Sequence, residues 1–122
     1  MSATSKKILV VNRKSPYGGL RSREAIDTLL VASAYGLQVS ALYLDDGVFQ
    51  LIQSQQADQI NSKNIARMIS AFEMYDLKEV YVDASSMGKR GIQQQDFVIP
   101  VEILTTEQIK TLLHQQDQIL SF

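Results

Sequence analysis

Five short apolar runs, KILVVN (7–12), QVSALYL (38–44), KEVYVDA (78–84), FVIPVEIL (97–104) and DQILSF (117–122), punctuate this chain. Between them lie segments with helical spacing. From Leu20 to Tyr35 the apolar positions Leu20, Ala25, Ile26, Leu29, Leu30 and Ala34 recur on one helical face, and Gly36 follows where a left-handed stop is easiest. Residues 61–76 repeat the pattern through Ile65, Met68, Ile69 and Phe72, with Asn61 or Ser62 as a cap. Residues 105–115 repeat it through Ile109, Leu112 and Leu113, behind a cap-like Thr105 and Thr106. Strands that alternate with helices are joined most simply by right-handed crossovers, which makes the sheet mainly parallel. The expected fold is α/β: one three-layer domain over residues 1–122, with a five-stranded sheet, helices on both faces, and a flavodoxin-like outline. Pro100 inside the fourth run suggests an edge strand or a bulge, because proline has no N–H for a ladder.

Composition narrows the chemistry. Hydrophobic residues are 45% and charged residues 20%, an ordinary globular balance. There is no cysteine, which removes disulfides, thiolate metal sites and thiol nucleophiles together. MSATSKKILVVN carries no legible secretory leader, and no apolar run approaches the ~20 residues that span a bilayer. A soluble, cytoplasmic protein without membrane contact is expected. The net charge of −1 argues against a broad nucleic-acid-binding face. Its distribution is uneven, since Lys6, Lys7, Arg13, Lys14, Arg21 and Arg23 all precede the first acid, Glu24. That segment reads either as a solvated edge or as an attraction for an anionic partner.

The usual catalytic constellations are missing. DASSMGKRG lacks the first glycine and the closing Ser or Thr of a phosphate loop, and SPYGGLRSRE contains no G-x-G-x-x-G. Weaker anion or substrate contacts remain open at the two loops, through Ser15, Gly18 and Gly19 and through Lys89 and Arg90. Ser85 and Ser86 sit in no nucleophile elbow. The single histidine, His114, suits a helix C-terminus and supplies too few ligands for a metal. Asp83 reads as an acid–base group if buried, or as the cap of a helical turn that starts at Ala84. No catalytic residue, metal or cofactor is assigned.

DDGVFQLIQ (45–53) reads as a short helix with Asp45 or Asp46 as cap. Val48, Phe49, Leu51 and Ile52 are too many apolar side chains for one core-facing stripe. They either pack under a neighbouring loop or form a protein–protein contact anchored by Phe49.

Taken together, ILVVNRKSPYGG, LRSREAIDTLLVASA, LDDGVFQLI, VYVDASSMGKRG and the terminal DQILSF resemble the TusC/DsrF branch of the DsrE/DsrF family over nearly the whole chain. DGVFQL and D-x-I-L-x-F are the most specific parts. The resemblance implies a small parallel α/β scaffold that assembles with TusB/DsrH-like and TusD/DsrE-like sisters into a heterohexamer. It implies a relay of persulfide sulfur, linked to a sulfur-carrier protein and to 2-thiolation of the tRNA wobble uridine, or to sulfur oxidation in DsrF-like members. In the catalytic sister of such complexes a cysteine follows a strand, ahead of an Arg-Gly pair. Anchored on Arg90-Gly91, that position falls on Asp83, whose carboxylate cannot carry a persulfide. The resemblance therefore implies a non-catalytic subunit. Two other readings remain: a stand-alone small-molecule or nucleotide-binding domain using Ser15, Gly18, Gly19, Asp83 and Lys89, and direct tRNA binding by the basic N-terminal segment.

Overall fold

A computed structural model describes residues 6–14, 21–52, 68–75 and 77–122. β1 (Lys7–Asn12), β2 (Gln38–Tyr43), β3 (Val80–Asp83), β4 (Glu102–Leu104) and β5 (Gln118–Ser121) form one sheet in the order β4-β3-β2-β1-β5. All four pairings are parallel, through registers such as Val10↔Ala41, Ala41↔Val80, Val82↔Ile103 and Leu9↔Ile119. The nearly continuous apolar runs follow from this arrangement, because a parallel sheet is covered on both faces.

The side-chain alternation of each strand divides the core in two. Val10, Ala41, Tyr43 and Val82 pack with Ala25, Ile26 and Leu29 of α1 (Arg21–Ala34) on one face. Met87 and Ile92, in and just after α2 (Ala84–Arg90), join the same layer. On the opposite face Leu9, Val11, Leu42 and Leu104 pack with Leu112 of α3 (Thr106–His114). Right-handed crossovers give this distribution: the chain steps from β1 outward to β4 over one face, then returns beneath the sheet to β5. Each fully buried Leu, Ile or Phe in these layers contributes about 1.5–3 kcal/mol of transfer free energy.

Thr105 caps α3 and exchanges hydrogen bonds with Gln108, a reciprocal capping box. Gly36 adopts the left-handed φ of +78° after α1. Several boundaries differ from expectation. The fourth run shortens to Glu102–Leu104, since Pro100 cannot donate to a ladder; Phe97 makes only an isolated antiparallel bridge to Ile52. β4 lies at a sheet edge, as that proline suggested. Of the expected 61–76 helix, residues 68–70 are helical and Phe72–Tyr75 form a 3₁₀ turn; its start lies outside the described residues. The DDGVFQLIQ segment is a 3₁₀ helix over Asp45–Leu51 rather than a helix reaching 53. Among the described residues no helix is long and apolar enough to cross a membrane.

Candidate functional site

The polar network of the molecule gathers at the carboxyl ends of β1, β2 and β3, where open α/β sheets place their working residues. Asp83 ends β3 and caps α2. Its carboxylate accepts the backbone N–H groups of Ser85 and Ser86, each at 3.3 Å, and the Ser86 hydroxyl at 2.6 Å. Two orphan donors of the helix start are thereby satisfied. α2 stops at Gly91, whose φ of +66° is the left-handed conformation glycine takes without strain. Lys89 and Arg90 occupy its last turn, the favourable end of the helix dipole for cations.

Arg90 reaches back toward the 3₁₀ helix. Its Nε and Nη2 donate to Asp46 Oδ1 at 3.1 and 3.0 Å, and Nη1 donates to the Ser86 carbonyl at 3.2 Å. The Ser86 hydroxyl also accepts the Asp45 backbone N–H at 2.8 Å. Asp45 has φ +52°, an unusual conformation for a residue with a side chain, and its carboxylate lies 3.5 Å from Arg13 Nε. α2 and the 3₁₀ helix are thus joined at both ends of α2.

The 3₁₀ helix is seated deeply. A Cβ at Gly47 would collide with the Asn12 carbonyl, so only glycine permits this approach to the end of β1. Gln50 is buried and donates from Nε2 to the Lys14 carbonyl at 2.7 Å. Val48 and Leu51 are fully buried in the α1-side core. Of the two roles open to the four apolar residues, packing and partner contact, Val48 and Leu51 take packing, which corrects their place among the interface candidates. Phe49 and Ile52 are half-buried and retain exposed surface.

Of the expected anion contacts, Lys89 and Arg90 lie within the described residues, both in the last turn of α2. Arg90 is engaged by Asp46 and Ser86, while Lys89 is exposed on α2. Ser15, Gly18 and Gly19 lie outside the described residues. A recess of about 340 Å³ opens between Arg13, Lys14, Asp45, Ser121 and Phe122, with an acid set among its two bases. An apolar cleft of about 310 Å³ lies at the amino ends of β3 and β4, lined by Phe72, Leu77, Val80, Ile99 and Pro100. It is at the wrong end of the strands to work with Asp83. The Tyr43 phenol is fully buried, and burial pushes its pKa well above the ordinary tyrosine value. Tyr81 is raised by burial too, and further by the neighbouring Glu79 and Glu102 carboxylates.

Residue spacing alone did not identify Ser86 as the bridge, or Asp46 as the partner of Arg90. The bonded groups are 41 and 44 residues apart, and no local pattern marks such pairs.

The profile of the DsrE/DsrF-like family matches residues 6–122. This chain belongs to the DsrE/DsrF-like family. Within it, the chain is 40% identical over 110 residues to a protein TusC homolog of Vibrio parahaemolyticus, covering 90% of this chain and 93% of that one. It is 33% identical to a TusC homolog of Pseudomonas aeruginosa, covering 96% and 98% of the two chains. It is 32% identical to the intracellular sulfur oxidation protein DsrF of Allochromatium vinosum over the full length of both. The fold also matches the crystal structure of the ychN protein from E. coli, with a TM-score of 0.77 at 19% identity, covering 96% of this chain and 99% of that one. That likeness shows a shared fold. On this scaffold the present 122 residues carry no thiol.

Proposed function

We propose that this chain is a non-catalytic, TusC-like subunit of a cytoplasmic sulfur-relay complex. In it the chain assembles with TusB/DsrH-like and TusD/DsrE-like sisters, two copies of each, and supports 2-thiolation of the tRNA wobble uridine. One observation carries the reading: a DsrE/DsrF-like chain without a single cysteine. Persulfide relay requires a thiolate to attack and hold sulfur. The position read as the sister's cysteine is Asp83, and its carboxylate is engaged with Ser85 and Ser86. Sulfur would therefore pass over partner cysteines, and this chain's part is to hold those partners in place.

Its docking surface includes the outward parts of Phe49, on a 3₁₀ helix whose other apolar side chains anchor it in the core, and of Ile52 just after that helix. Contact with tRNA and with the sulfur-carrier protein is indirect. A role in sulfur oxidation is the second reading, favoured by the full-length match to DsrF. The higher identity to the Vibrio TusC homolog supports the tRNA branch. The test is co-expression with TusB- and TusD-like sisters, followed by sizing of the purified species. Co-elution as one hetero-oligomer is expected; a lone chain under those conditions would reject the reading.

A further inference from the structure

Asp45 holds a left-handed φ of +52° without being glycine. Such a conformation is unfavourable for a residue with a Cβ and persists only where surrounding groups over-determine it. One of those groups is the Ser86 hydroxyl, which accepts the Asp45 N–H at 2.8 Å. A serine hydroxyl has one proton and two lone pairs, so what it accepts depends on where its proton points. Here Asp83 Oδ2 takes that proton at 2.6 Å, within the range of a charge-assisted O–H···O⁻ bond. The lone pairs are left facing the Asp45 amide. Ser86 is only 3% exposed, which limits replacement of either partner by water.

We propose that Asp83 is a positioning residue that acts through Ser86 to hold the β2–3₁₀ connection. The same contact sets the 45–51 helix in the shape that presents Phe49 and, just past its end, Ile52. The holding part stands on the geometry alone, whereas the docking part rests on the subunit reading above. Arg90 adds a second strap, from the last turn of α2 to Asp46. The carboxylate at position 83 thus has a task of its own: it orients one hydroxyl that fixes a loop 41 residues away.

The experiment is amide hydrogen exchange by NMR on the full chain, with β1 and β2 amides as the internal measure of global stability. Asp83→Ala and Ser86→Ala each speed exchange at the Asp45 amide by about tenfold relative to those strands, the scale of one lost buried hydrogen bond. The double variant adds little to either single one, because both act along one path. Asp83→Asn retains an acceptor for Ser86 and keeps most of the protection. Arg90→Gln releases its strap to Asp46 without freeing the Asp45 amide. Unchanged relative exchange at Asp45 in Ser86→Ala, or additive effects in the double variant, would overturn the proposal. Binding of the same variants to the sister subunits separates its two parts. A faster Asp45 amide with weakened binding supports both; a faster amide with unchanged binding overturns the docking part and leaves the holding part in place.

Discussion

α2 and α3 begin in the same way and serve different ends. Each follows a strand directly, and each is capped by a side-chain acceptor, Asp83 for α2 and Thr105 for α3. The Thr105 box closes on Gln108, three residues on, and among the described residues involves no other element. The Asp83 cap continues through Ser86 to Asp45, and from the far end of α2 Arg90 returns to Asp46. One cap stabilises a helix. The other ties a helix to the 3₁₀ segment beside it, so its loss is felt in a second element.

The largest expected effect tests whether that segment belongs to the core. Leu51→Ala removes a fully buried side chain and lowers stability by about 2–5 kcal/mol in chemical denaturation. A loss below ~1 kcal/mol would return Leu51 to the surface. Next is Phe49→Asp, which weakens assembly with the sisters by at least ~2 kcal/mol, the scale of an aromatic anchor. It is measured as a shift in the concentration at which the complex dissociates, and unchanged assembly rejects Phe49 as an anchor.

A direct comparison of the caps comes third. Thr105→Ala costs about 1 kcal/mol and Asp83→Ala about 2 kcal/mol, near the middle and the top of the range for N-caps. Asp83 loses more because Ser86 and Asp45 lose their arrangement with it. Equal losses in thermal or chemical unfolding would erase the distinction between the two helices.

At neutral pH the smallest effect concerns Tyr43. Its folded-state pKa is raised by burial, so above pH 10 the unfolded chain gives up a proton that the folded chain keeps. Stability is therefore retained below about pH 10 and falls above it, by up to about 1.4 kcal/mol per pH unit from this one group. Tyr81 shifts in the same direction and adds to the trend. Among the described residues the Tyr43 hydroxyl has no hydrogen-bond partner. Tyr43→Phe accordingly leaves stability at neutral pH unchanged or raises it by up to ~1 kcal/mol, and flattens the alkaline decline. A decline as steep in the variant as in the parent would assign it to other groups.

The same division, local against distant, explains what was legible in the sequence. Alternating apolar runs and helical spacing marked all five strands and the helices α1 and α3, because those signals come from residues close along the chain. Pro100 pointed to an edge, and Thr105 and Asp83 to caps, for the same reason. Which of the apolar neighbours Val48, Phe49, Leu51 and Ile52 turn inward is not local information, because the four look alike in sequence. In the fold Val48 and Leu51 do, beside the close approach of Gly47 to the Asn12 carbonyl. For Ser86 the sequence shows only that it sits in no nucleophile elbow, since its partner Asp45 is brought to it by the sheet. The DsrE/DsrF-like resemblance came from several segments together, and family membership followed from the match over residues 6–122.

The central claim is that this chain positions sulfur chemistry and carries none. It is tested by mass spectrometry of each subunit after the assembled complex is loaded from a persulfide donor. A one-sulfur increment is expected on a cysteine-bearing sister and none on this chain, with loss of onward transfer when this chain is omitted. A one-sulfur increment on this chain, or full transfer without it, would overturn the subunit reading.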